Sequence, residues 1–125
     1  MTSPAAANPK PNRWLVWGIL LAMAAVILAA RSVTYDEPLE NDVAGYAVIA
    51  REMGRGRDLY SDLWERKPPL LYVVFAIAGK ITGDGRPAVF AVNIAASLAS
   101  LLAVYAVGRA FSGTTAGLLA AGWWT

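Results

Sequence analysis

The chain has 125 residues, of which 57% are hydrophobic and 16% charged, with a net charge of +2. Its apolar residues are bunched rather than spread at the periods of soluble helices or strands, which is the composition of a membrane protein. There is no cysteine and no histidine, which excludes disulfides, thiolate chemistry, imidazole acid/base catalysis and the usual zinc ligand sets; most bases also sit beside acids, so the charge does not point to nucleic acid.

The first 13 residues, MTSPAAANPKPNR, are small, Pro-containing and mildly basic and read as a disordered tail. Trp14 to Ala30 is a 17-residue run without a charge, at the short end of what spans a bilayer. It exceeds the usual apolar region of a signal peptide and no clean A-x-A site follows, so it reads as an uncleaved anchor. Lys10 and Arg13 precede it, whereas Arg31 is the one base among residues 31–45, which also hold four acids. That bias puts the N-terminus in the cytoplasm. The wider count opposes it, because residues 31–87 carry eight Lys and Arg; the near-span residues are given the weight.

Residues 33–68 contain eight of the nine acidic residues, and this is where chemistry is expected. Over residues 42–53 the pattern becomes helical: Val43, Tyr46, Ala47, Ala50 and Met53 share one side, and Gly54 and Gly56 end the run. This predicts a short amphipathic helix suited to a membrane surface. Asn41 and Asp42 stand at its start. Structurally, Asn41 caps free amides and Asp42 complements the helix dipole, each worth about 1 kcal/mol or less. Functionally, Asp42 is a carboxylate at a water–membrane boundary, available to take a proton from an acceptor hydroxyl. Asp36, Glu37 and Glu40 are near enough in sequence to share that work or to bind a divalent cation through oxygen, although no spacing identifies a metal loop.

The stretch SDLWERKPPLLYVV, residues 61–74, sets Glu65, Arg66 and Lys67 directly against two prolines and an apolar run. Pro68 holds Lys67 extended, and Pro69 suits the first turn of a helix. The prolines thus fix where charge stops and the apolar helix starts, holding the Lys67 ammonium at headgroup depth beside any lipid-linked phosphate. Arg66 and the Arg55/Arg57 pair are candidate additional donors, and a snorkelling cation without a substrate is the plainer alternative. The run Pro69 to Thr82 is only 14 residues and includes Lys80, so it is expected to lie along the membrane. Gly83-Asp84-Gly85 reads as a turn, not a phosphate cradle, and the GxxxG spacing of Gly79 and Gly83 is weak evidence for packing.

Ala88 to Gly108 gives a second span of 21 residues. Ala91, Ala95, Ala99 and Ala103 form a small-residue stripe on it, as Gly18, Ala22, Ala25 and Ala29 do on the first; such stripes let helices approach closely in lipid, unless Ala is simply abundant. After a break at Arg109 to Gly113, residues 114–125 read as the start of a third span, so a longer parent protein is expected and these 125 residues alone are expected to be inactive. The fold class expected is all-α: the N-terminal part of a polytopic transmembrane bundle, with interfacial helices at 42–53 and 69–82 in an extracytoplasmic loop covering 31–87.

"NDVAGYAVIAREM", then "GRDLYSD", then "KPPLLY" and a short apolar stretch ending in "GKITG", all after one span, resemble the start of the polytopic GT-C glycosyltransferases, in particular the dolichyl-phosphate-mannose protein mannosyltransferase-like group with its bacterial envelope sugar transferases. The resemblance covers about residues 14–113. It implies an enzyme of the bacterial inner membrane that transfers a sugar from a polyprenyl-phosphate donor to a glycan, lipid or protein acceptor, with inversion. Asp42 matches the family's acceptor-activating Asp. Val43 stands where a second acid is usual, which leaves open whether Glu40 compensates or that acid is unnecessary here. Lys67 matches the Lys that contacts the donor phosphate, with Arg66, Glu40, Tyr46, Arg55 and Arg57 as expected substrate-binding neighbours. A divalent cation remains open. The alternative is a non-enzymatic membrane subunit or a piece of a transporter.

Overall fold

The structure is a computed structural model that describes residues 12–64 and 66–125; the expected tail lies outside them apart from Asn12 and Arg13, as does Glu65. It is all-helical, with α1 (Arg13–Val33), α2 (Asn41–Gly54), α3 (Pro69–Thr82) and α4 (Arg86–Trp124). The chain divides into two compact units, one formed by the start of α1 with Ser100–Thr125 and the other by Ile27–Ala99.

α1 starts where Asn12 Oδ1 accepts the Trp14 amide at 3.1 Å, one of the free donors every helix start must satisfy. It ends where the Ser32 and Thr34 hydroxyls donate to the Ala29 and Arg31 carbonyls, with Arg31 in the last turn favoured by the dipole. At 21 residues it has the length and apolar character to cross a bilayer, and so does α4. Only 17% of the most apolar stretch of each is buried within the protein, so neither is the enclosed core helix of a soluble domain. α3, at 14 residues, is about 21 Å long and too short to cross.

The small-residue stripe of α1 is not its packed face. Gly18, Ala22, Ala25 and Ala29 are exposed, while Leu20 and Ile27 are buried and Val16, Ile19 and Met23 half-buried. Nothing lies within 4 Å of a Cβ built on Gly18. On α4, Ala95, Ala99 and Ala103 are likewise exposed, and Ser97 and Leu101 are buried. On α1 the face that packs carries bulk and the small residues look outward; on α4 the buried positions include Leu101 and small residues outside the stripe, Ala88, Ser97 and Ala121, and Ala91 is half-buried.

Close backbone approach occurs elsewhere. Helical geometry breaks at Ser112 (φ −141°, ψ 19°) and Gly113 (φ 83°, ψ −178°), the left-handed φ being one that glycine adopts freely. A Cβ on Gly117 would stand 2.7 Å from the Tyr105 carbonyl oxygen and 2.9 Å from the Arg109 nitrogen, and one on Gly108 would stand 2.9 Å from Gly117 Cα. Residues nine apart on a straight helix are about 13.5 Å apart along its axis, so α4 turns back on itself into two limbs, 86–111 and 114–124. The sequence break at 109–113 therefore marks a helical hairpin whose seam is Gly108 and Gly117. On the second limb, Gly122 approaches the Met23 methyl of α1, a Cβ there standing 3.1 Å from it.

A Gly117→Ala change has no room that backbone atoms can yield, and overpacking of this kind costs about 1–3 kcal/mol. Gly18→Ala adds a methyl to open space in a helix and gains up to about 1 kcal/mol. Thermal unfolding of the purified protein in detergent is expected to show the first destabilised and the second unchanged or stabilised.

Candidate functional site

Within the 27–99 unit, α2 and α3 run side by side in the same direction. Lys67, just before α3, meets Asp42 in the first turn of α2. One turn on, the Tyr46 ring lies 6.1 Å from the rings of both Tyr72 and Phe75. Further along, Ala50 and Gly54 line a hollow with Ala76 and Gly79. Ala47, Ala50, Tyr72, Phe75 and Gly79 are buried in this seam. At its far end Gly79 makes room for the turn into α4: a Cβ there would fall 2.6 Å from Asp84 Oδ1.

The start of α3 is as the two prolines require. Pro68 is its N-cap at φ −58°, ψ 144° and Pro69 its first residue, a position where the missing amide hydrogen costs nothing. The start of α2 differs from expectation. Glu40, not Asn41, is its N-cap, and no side chain caps it; the Glu40 carbonyl accepts the Ala44 amide at 2.9 Å. Asp42 does sit in the first turn, where the dipole favours a carboxylate.

Lys67 Nζ donates to Asp42 Oδ2 at 3.1 Å and to the Tyr46 hydroxyl, and Tyr46 lies one turn from Asp42, its hydroxyl 3.4 Å from the same carboxylate oxygen. Three residues from two segments 25 positions apart thus converge on one point. The pair stays open to solvent: the Asp42 side chain is 78% exposed and that of Lys67 40%. Chemically the cluster offers a carboxylate that can accept a proton and an ammonium that can neutralise an anion. Here each occupies the other.

Sequence reasoning missed Tyr60. Its hydroxyl donates to the Lys67 carbonyl oxygen at 2.7 Å, and it holds a left-handed φ of 74°, unusual for a residue with a Cβ. The turn around it is tight: the Asp58 amide donates to Asp62 Oδ2 at 3.0 Å and the Tyr60 amide to the Leu63 carbonyl at 2.9 Å. A tyrosine between two aspartates carries no sequence signal for such a role.

Other expected members are not gathered here. Arg55 and Arg57 bind Glu52, at 2.8 and 3.6 Å, with Arg51 on the same carboxylate at 3.5 Å. Glu52 is ten residues along α2 from Asp42, about 15 Å of helix. Asp36 pairs with Arg86 at 3.5 Å. Glu40 is at the helix start but exposed, and Arg66 adjoins Lys67 in the chain. Among the described residues there is no group of three or more acidic side chains arranged to hold a metal ion.

No family model, curated protein or solved structure matches the chain. What the Asp42–Tyr46–Lys67 cluster can do therefore rests on its own geometry.

An exposed ion pair contributes about 0.2–1 kcal/mol to stability. Asp42→Asn and Lys67→Gln are accordingly expected to unfold within about 1 kcal/mol of the parent, with small coupling in a double-mutant cycle. Truncating the buried Phe75 to Ala is expected to cost about 3–5 kcal/mol. Chemical unfolding in detergent micelles separates the two: a large loss at Asp42 or Lys67 would make the cluster a structural fastening.

Proposed function

We propose that these residues belong to a membrane glycosyltransferase of the GT-C type, which moves a sugar from a polyprenyl-phosphate donor to an acceptor hydroxyl at the extracytoplasmic face. The observation that carries the reading is the meeting of Lys67 and Asp42, 3.1 Å apart, at the place where a polar loop gives way to the apolar α3. A phosphate-binding ammonium and a proton-accepting carboxylate side by side are what such a transfer needs. Two helices long and apolar enough to cross a bilayer fit a lipid-carried substrate.

In this mechanism the donor phosphate takes the Lys67 ammonium from Asp42. The freed carboxylate accepts the acceptor's O–H proton, the acceptor oxygen bonds to the anomeric carbon from the face opposite the phosphate, and the bond from that carbon to the phosphate oxygen breaks. Polyprenyl phosphate leaves with the bonding pair, its charge held by Lys67. Tyr46 orients both side chains, and Tyr60 fixes the backbone of Lys67. Arg55 and Arg57, which lie at Glu52 about 15 Å along α2 from Asp42, are assigned no part in the step.

The test is transfer by membranes expressing the complete reading frame that holds these residues, using a radiolabelled polyprenyl-phosphate sugar and the native acceptor fraction. Asp42→Asn is expected to lower turnover about 10²–10⁴-fold, the usual worth of a positioned base, with membrane insertion intact. Lys67→Ala is expected to weaken donor use, and Arg57→Gln to leave transfer unchanged. Full transfer by Asp42→Asn would remove Asp42 as the base, and absence of transfer by the unsubstituted protein would favour a non-enzymatic subunit or transporter piece.

A further inference from the structure

The unit formed by the start of α1 and Ser100–Thr125 contains a cavity of about 330 Å³ that Arg13 and Arg109, 96 positions apart in sequence, both line. Tyr105 and Thr114 bring hydroxyls to it, and Val16, Trp17 and Leu20 supply an apolar side. No Asp or Glu occurs in residues 1–26 or 100–125. Among the described residues neither arginine has a carboxylate within ion-pair distance, whereas Arg51, Arg55, Arg57 and Arg86 all do.

Two guanidiniums lining one cavity without a counter-ion repel each other, and only Arg109, in the last turn of the first limb of α4, has the negative end of its own helix beside it. α1 begins at Arg13 and the second limb of α4 at Thr114, and the approaches of Thr114 to the Arg13 wall and of Gly122 to Met23 show the two helices running the same way. The positive ends of α1 and of the second limb therefore lie at this end of the unit, together with the negative end of the first limb of α4. The described residues supply no carboxylate to either arginine. Trp14 and Trp17 at the start of an apolar helix mark the depth of lipid headgroups, and the apolar wall of Val16 and Leu20 continues from the arginines along α1.

We propose that this cavity binds the headgroup of an anionic phospholipid, its phosphate held by Arg13 and Arg109, its remaining oxygens by Tyr105 and Thr114, and an acyl chain laid against Val16 and Leu20. The site shares no residue with the Asp42–Lys67 cluster and needs only the membrane location, not sugar transfer. Guanidinium suits it because its planar donor set matches phosphate oxygens in pairs.

The test is native mass spectrometry of the purified protein in neutral detergent, titrated with phosphatidylglycerol, phosphatidylcholine or inorganic phosphate. The wild type is expected to retain phosphatidylglycerol about tenfold or more over phosphatidylcholine, given the contribution of each base near an anionic headgroup. That preference is expected to vanish in Arg13→Gln/Arg109→Gln and to persist in Arg55→Gln/Arg57→Gln, whose guanidiniums lie on Glu52. Either single substitution carries the same test if the double variant fails to insert. Equal retention of the two lipids, or a preference surviving the loss of both arginines, overturns the proposal. Displacement of phosphatidylglycerol by millimolar inorganic phosphate would make this a site for a soluble phosphate and overturn the lipid assignment.

Discussion

The packing of Tyr46 between Tyr72 and Phe75 is the contact on which the rest of the 27–99 unit depends. It sets α2 against α3 in parallel, and parallel packing of consecutive helices requires the connecting chain to travel back the full length of α2. Residues 55–68 do this. They turn at Gly56, whose φ is +90°, fold through the Asp58–Asp62 turn and arrive at Lys67 beside the start of α2. An antiparallel hairpin, which a shorter connection would favour, would put Lys67 at the Gly54 end and leave Asp42 alone. The aromatic contact therefore decides both the fold of this unit and the composition of its polar end.

The same parallel arrangement divides the charges of α2 by position. At its start a single carboxylate meets a single ammonium in the open, with a tyrosine hydroxyl between them. At its end Glu52, whose side chain is 16% exposed, gathers Arg51, Arg55 and Arg57. Three cations gather on one anion ten residues along α2 from Asp42, about 15 Å of helix. That is why Arg55 and Arg57, plausible phosphate donors by composition, are not part of the Lys67 cluster. Charge count along a loop says nothing about which partner is nearer once the loop folds back.

What the sequence makes legible follows from how local each cause is. The double proline fixes the start of α3 through backbone constraints within two residues, and the helix runs over 69–82 as expected. The break after Arg109 is equally local, being set by Ser112 and Gly113. The packed faces of α1 and α4 are not local. An Ala or Gly stripe permits close approach but does not compel it, and here the buried positions went to Leu20 and Ile27 on α1 and to Ala88, Ser97, Leu101 and Ala121 on α4, while the stripes, apart from the half-buried Ala91, stayed outside. The glycines that do allow contact, Gly108 and Gly117, lie on opposite limbs of a hairpin and share no helical period. Tyr60 was invisible for a related reason: its role depends on a left-handed turn that no glycine or asparagine announces.

The Lys67–Asp42 contact is strong enough to define a geometry and weak enough to be exchanged. With Asp42 largely in water, their attraction is screened and the pair holds little free energy. A phosphate brings more charge and more acceptor oxygens to Lys67 than one exposed carboxylate does, so the ammonium can change partners at small cost. The Lys67 backbone meanwhile stays fixed by the Tyr60 hydroxyl and by Pro68. A buried version of this pair would be costly to break and slow to exchange. Exposure, which makes the pair a poor stabiliser of the fold, is the property that leaves its two groups free to act on something else.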